Sequence, residues 1–384
     1  MNRLRSRFEA PPMPSSPRAA SRLLLLLATM ATSCADRATG PASKVTPATP
    51  SPSVLPEAPL EGVAVQSEPW TLDAAAGQVL STTNYRIYTT SSKEFLIDHL
   101  PAFVEGAAAH YRAALGPLPE PRSTMEIYLL DTRPQWERMT ERFMGEQAAT
   151  YLRIQKGGYS VEGRAILYDI GRRDTFTITA HEGWHVYTQR TFRHSLPVWL
   201  EEGVATYMEG FRWDPGKAAL PTFLPWANFE RYDQLRWGVR AGKLMSLQDL
   251  TRSTPQELIA KDANAALFYY AQVWALVHFL NEGEGGSHRE GLRQLVADAA
   301  GGKLIARIRR DAGDRAASMY SYRRGGVDLL KIYTGRTAAE LQPAYAAFMD
   351  QIVKTGTRND IWQGKSPIRE AASTPTAPAA PATP

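Results

Sequence analysis

Two stretches decide how this chain is read. The first is Thr179-Ala180-His181-Glu182-Gly183-Trp184-His185-Val186, and the second is Leu196-Pro197-Val198-Trp199-Leu200-Glu201-Glu202-Gly203-Val204-Ala205-Thr206-Tyr207-Met208-Glu209. Both read as helices, over 174–192 and 197–210, with Pro197 in a first turn where its missing N–H is no loss. His181 and His185 stand four residues apart. Positions i and i+4 share one helical face, so both imidazoles can reach one metal ion. Glu182 is one step round, beside such an ion, where a carboxylate can take a proton from water. A surface helix with two incidental histidines would show the same letters. Gly183 inside the helix costs about 1 kcal/mol relative to alanine, a cost that close approach of another backbone would explain.

Working outward, strands read over 84–89, 125–130 and 163–168, where β-branched and aromatic residues cluster. Helical spacing runs over 93–115 and 134–144. Beyond 174 the pattern stays helical, with further helices near 265–282, 288–299, 326–333 and 337–353 and a Trp- and Pro-rich connection at 211–243. Strands first and helices after argue an α+β architecture.

Two histidines do not complete a site, since catalytic zinc takes three protein ligands and keeps an open position. Downstream stand the neighbours Glu201 and Glu202, about 100° apart on the second helix. A solvated surface acid is the plain reading of Glu201, and a helix-end surface charge that of Glu209.

His-Glu-x-x-His followed by Trp199-Leu200-Glu201-Glu202-Gly203 resembles the gluzincin metallopeptidases, the peptidase MA-like group that includes the aminopeptidase-N-like enzymes. The resemblance implies a zincin-like fold, with a small twisted β-sheet part (70–173), a mostly helical part (174–360) and the metal site between them. It implies Zn2+ held by His181, His185 and Glu202, with Glu182 as general base. Glu209 falls where the family has a carboxylate hydrogen-bonded to a histidine ligand. Tyr270, in Tyr270-Ala271-Gln272-Val273-Trp274, falls where a phenol stabilises the oxyanion, although a core tyrosine in an aromatic-rich helix reads the same way. The strand at 163–168 is expected to pair with an extended peptide substrate. Thr206 stands where thermolysin-like enzymes carry an aspartate, and the glycine- and glutamate-containing strand by which aminopeptidases hold a free amine is only loosely echoed at 157–162.

The remaining histidines, His99, His110, His194, His278 and His288, read as core or loop residues outside the site.

The ends of the chain carry a different message. Arg22 precedes the apolar run Leu23–Leu27, and Ala31-Thr32-Ser33-Cys34 follows. This is the layout of a secretory signal over 1–33, and the small residues before Cys34 resemble a bacterial lipobox. The expectation is a lipid anchor on Cys34, a Pro/Ala/Ser/Thr-rich linker over 34–69, a folded domain over 70–360 and a disordered tail over 361–384. The protein would then be exported and membrane-anchored, facing the periplasm or the cell exterior. A single cysteine excludes an intrachain disulfide and a cysteine-based metal cluster. The net charge is +5, but residues 1–33 hold five arginines and one glutamate, leaving +1 for the rest. Nucleic acid is therefore not an expected partner; a peptide or protein substrate is. The competing readings are a metal-binding envelope protein without catalysis, a scaffold lipoprotein with a zincin fold, and a hydrolase of non-peptide amides.

Overall fold

The computed structural model describes residues 24–25, 63–213, 221–260, 262–325 and 327–369. Apart from Leu24–Leu25, the expected signal peptide lies outside the described residues, as do Cys34 and most of the expected linker and tail. The architecture is α+β, a sheet-bearing first part followed by a mostly helical remainder.

Six strands build the sheet: β1 (Gln66–Leu72), β2 (Ala75–Ser81), β3 (Tyr85–Thr89), β4 (Met125–Leu130), β5 (Gly158–Val161) and β6 (Arg164–Tyr168). Their order is β5-β6-β4-β3-β2-β1; β3, β4 and β6 run parallel and the other neighbours antiparallel. Leu24–Leu25 pair antiparallel with Tyr159 and Ser160 on the outer side of β5. The parallel strands are joined by helices, as parallel pairing requires: α1 (Glu94–Ala113) links β3 to β4, and α2 (Arg133–Met144) with α3 (Ala148–Tyr151) leads from β4 to β5. Alternate residues of the central strands face opposite layers. Ile127, Leu129, Ala165 and Leu167 join the main core with α1, while Leu130, Ile166 and Tyr168 pack with Trp136 and Met139 of α2.

The strand at 163–168 is the one expected to pair with an extended peptide substrate, which needs a free strand edge. It is an interior strand, hydrogen-bonded on both sides to β4 and β5. Glu162 and Gly163 both have positive φ (51° and 76°), the backbone of a tight hairpin, and this turn places β5 outside β6. On this side the sheet therefore ends in Gly158–Val161, whose outer face is paired in part with Leu24–Leu25.

α4 (Arg172–Thr191) and α5 (Val198–Met208) follow. Both are buried almost all round rather than along one stripe, the mark of a helix inside the core. α4 packs on α1 and on the sheet, and α5 lies between α4 and α9 (Ala263–Glu282). A Cβ on Gly203 would stand 2.9 Å from the Val273 carbonyl oxygen, so glycine lets α5 and α9 approach. The neighbour of Gly183 is a side chain, not the expected backbone. A Cβ there would stand 2.6 Å from the Tyr111 hydroxyl, which donates to the Ala180 carbonyl at 2.7 Å.

The connection at 211–243 holds more order than its composition suggests: a hairpin, β7 (Phe211–Trp213) with β8 (Pro221–Phe223), and then α6 (Phe229–Ala241). The helical part continues through α7 (Leu247–Arg252) and α8 (Pro255–Ile259) to α9, then α10 (Arg289–Gly301), α11 (Leu304–Ala312), α12 (Asp314–Arg323), α13 (Leu329–Thr334), α14 (Ala338–Ile352) and α15 (Arg358–Gln363). Both expected domain limits move outward. β1 starts at Gln66 inside the expected linker, with Pro69 on an edge strand where a missing N–H is tolerated. At the other end α15 runs past 360, with Ile361 buried.

Candidate metal centre

α4 carries His181, Glu182 and His185, and α5 carries Glu202. All four side chains are buried. Glu202 Oε2 stands 3.5 Å from His181 Nε2 and 3.7 Å from His185 Nε2. One ligand atom from each of the three residues falls within 4.8 Å of the others, so the group can hold a metal ion. Among the described residues neither Nε2 nor either Glu202 oxygen has a hydrogen-bond partner. Buried polar atoms are rarely left so, because each loses its hydration without replacement. A cation between them would satisfy all three side chains.

The opposite ring nitrogens are braced. His181 Nδ1 lies 2.7 Å from Glu209 Oε1. Glu209 also accepts from Asn228 Nδ2 at 2.7 Å and from Arg231 Nε and Nη2 at 3.0 and 2.8 Å. His185 Nδ1 lies 3.3 Å from Glu201 Oε1, which accepts from the Thr188 hydroxyl at 2.8 Å. A carboxylate oxygen accepts, so each Nδ1 carries a proton and each Nε2 is the ring nitrogen turned toward Glu202. This corrects the plain readings of two acids. Glu201 is not a solvated surface charge, because α5 has no solvated face at that level. Glu209 is not a helix-end surface charge but a buried partner of a ligand histidine.

Electrostatics follow from burial and these pairs. For Glu209, burial alone would raise the carboxyl pKa, but Arg231 and His181 outweigh it and hold it down at about 2. Burial likewise opposes ionisation of Glu202, yet the two histidines hold it down at about 2. Burial disfavours charge on His181 and His185 too, and the surrounding carboxylates reverse this, raising both. Glu182 is raised by burial against the pull of His185 and His181, and its Oε2 has no hydrogen-bond partner among the described residues. Tyr270 is buried with its ring edge-on to His181, centroids 6.3 Å apart, and the Arg231 guanidinium stands 5.3 Å from its centroid. Burial first, then Glu202, raises this phenol well above its usual range, so it stays protonated.

The structure thus brings His181, Glu182, His185, Glu202, Glu209 and Tyr270 into one neighbourhood. The other histidines are elsewhere engaged. His278 stacks on Trp226 at 3.6 Å and meets Glu282, His99 bonds the Phe95 carbonyl, and His288 meets Glu284. Sequence reasoning missed Asn228, Arg231, Thr188 and the role of Glu201. Asn228-Phe229-Glu230-Arg231 was a legible helix start: the Asn228 side chain caps Arg231 N at 3.3 Å while its amide reaches Glu209. No known protein family matches the chain, and no curated protein matches it either.

Proposed function

We propose that this chain is an exported, lipid-anchored zinc metallopeptidase of the gluzincin type, with a zincin-like fold. The observation that carries the reading is the set of four buried, partnerless atoms on His181, His185 and Glu202, with a partnerless Glu182 carboxylate oxygen electrostatically coupled to the two histidines. Two imidazoles and one carboxylate are a donor set that suits zinc. Bonds of about 2.0–2.2 Å in a tetrahedral array space ligand atoms about 3.4 Å apart, close to the 3.5 and 3.7 Å separations seen.

When bound, zinc supplies a Lewis acid that makes water a nucleophile near neutral pH. Glu182 accepts the proton of the attacking water, and its raised pKa suits it to return that proton to the leaving amine. Tyr270, held protonated, donates to the carbonyl oxygen as negative charge develops. Glu209 and Glu201 keep each Nε2 turned to the ion. The outer side of β5 offers a strand edge to an extended peptide, and its pairing with Leu24–Leu25 supports that use. Among the described residues no helix is long and apolar enough to cross a membrane, and anchoring is assigned to Cys34.

Elemental analysis of the full chain, with His181→Ala beside it, tests the metal. About one zinc per chain, lost in the variant, is expected. A peptide-library screen then tests catalysis, with Glu182→Gln expected to lose at least about 100-fold. Retained metal with no cleavage in either form would leave a metal-binding envelope protein. No metal even after zinc is added back would leave a scaffold.

A further inference from the structure

The connector between the two ligand-bearing helices, residues 192–197, is gripped by α10, α11 and α12. The Arg193 and His194 backbone N–H groups donate to the Ala300 and Ala299 carbonyls at 3.3 and 3.0 Å, and Ile305 N donates to His194 Nδ1 at 3.4 Å. The Tyr320 hydroxyl donates to the Ser195 carbonyl at 2.9 Å, and Arg324 Nε to the Leu196 carbonyl at 2.7 Å.

Of these groups Arg324 reaches furthest inward. Its Nη2 stands 3.6 Å from Glu201 Oε2 and has no hydrogen-bond partner among the described residues. Its side chain is 15% exposed and that of Glu201 4%. A cavity of about 30 Å³ lies between Arg324, Glu201, Thr188 and Ser195, room for one water. A carboxylate this buried is stabilised by a cation beside it. A histidine that gives its Nε2 lone pair to a metal is neutral and supplies none; Arg324 does.

The backbone adds a second, independent observation. Arg324 ends α12 in the left-handed conformation, φ 55° and ψ 27°. Glycine is favoured there because it has no Cβ to clash. Four other helices end in the same conformation, α6, α10, α13 and α15, and each uses glycine: Gly242, Gly302, Gly335 and Gly364. A bulky residue kept in that region points to a function for its side chain.

We infer that Arg324 is a positioning residue for the metal centre: through Glu201 it fixes His185, and so ties the affinity for the ion to the α10–α12 block. The inference rests on the metal-binding reading of the site. It goes beyond that reading by assigning a determinant of metal affinity to a helix that contributes no ligand.

The test titrates the full chain with Co2+, following its visible absorption band, and records the melting temperature of the metal-free protein. Arg324→Gly relaxes the left-handed backbone but removes the bond to the Leu196 carbonyl and the charge facing Glu201, so its metal-free melting temperature is expected to fall modestly, with the fold kept. Its Co2+ affinity is expected to fall by about tenfold or more, with a shifted band as the His185 ring loses its fixed orientation. Arg324→Lys restores part of the affinity, because it keeps the cation without the planar fork. Combined with Glu201→Gln, which itself weakens binding, Arg324→Gly adds little, as expected of two groups acting through one contact. Wild-type affinity and spectrum in Arg324→Gly overturn the inference. Should that variant fail to fold, Glu201→Gln decides: unchanged affinity and spectrum there overturn it equally. A wild-type protein that takes up no Co2+ overturns instead the metal reading beneath it.

Discussion

Behind His181, Glu209 takes four hydrogen bonds of 2.7–3.0 Å, two of them from one guanidinium. Behind His185, Glu201 has the Thr188 hydroxyl at 2.8 Å, the imidazole at 3.3 Å and its cation at 3.6 Å across a water-sized cavity. The same side-chain pair, histidine and carboxylate, is locked on one side and held loosely on the other. The supports differ in origin as well. Asn228 and Arg231 arrive at the start of α6, shortly after Glu209 in the chain, whereas Arg324 comes from the end of α12, much later in the chain. One histidine is fixed by its immediate surroundings, and the other takes its position from how the later helices dock.

The largest effect should come from breaking the tight side. Glu209→Ala leaves the Arg231 guanidinium buried, 5% exposed, with its main counter-charge gone. Stripping one partner from a buried pair costs about 3–5 kcal/mol. Glu201→Ala should cost about 1–3 kcal/mol, since Arg324 has partial access to water and a second bond to the Leu196 carbonyl. Urea unfolding of the metal-free proteins measures both. Equal losses would mean that the two braces differ in appearance only.

Acid should act through the tight side next. The Glu209 carboxyl is held at about 2 in the folded chain, against an ordinary 4.5. A depressed folded pKa means the unfolded chain binds the proton more tightly. The contribution of Glu209 is therefore complete above pH 4.5 and is lost as pH falls from there toward 2. Glu209→Gln is expected to be less stable at neutral pH and to lose less on acidification. Urea midpoints at pH 6, 5, 4 and 3 test this. Parallel curves for wild type and variant would place the acid sensitivity elsewhere.

The contrast between the two sides also shows what the sequence made legible. His181 and His185 were readable because helical spacing converts directly into a shared face, and Glu202 because Trp199–Gly203 resembles a known motif, with Pro197 marking where α5 begins. The order of strands before helices was readable for the same local reason. Glu201 was misread because the 100° step between neighbours implies a solvated side only when a helix has one. The signal was present in Val198–Met208, where the two glutamates are the only charges; a helix apolar on every face is buried on every face. β1, β2 and β5 escaped notice because β1 and β2 bury few residues and so show little alternation, while β5 is only four residues long. β1 even contains a proline and is exposed along most of its length. Arg324 was beyond reach of any local pattern, since its contact with Glu201 depends on how α12 docks against a connector formed far earlier in the chain.

The smallest expected effect sharpens the comparison most. The Thr188 hydroxyl lies 2.8 Å from Glu201 Oε1 and 3.0 Å from the His185 carbonyl, one turn from the ligand it helps to support. Thr188→Val keeps the shape and removes the donor. On a locked carboxylate the loss of a donor to a charged group would approach the upper end of about 1.5–3 kcal/mol. Here the adjoining 30 Å³ cavity can admit a water to the freed oxygen, and Arg324 can close its 3.6 Å gap. The expected cost is therefore about 1 kcal/mol, with Co2+ affinity lowered only a few-fold. A loss near 3 kcal/mol, or metal binding as weak as in Arg324→Gly, would show that Glu201 has no freedom to readjust. The His185 side would then be as rigid as the His181 side, and the docking of α12 would have nothing adjustable to act upon.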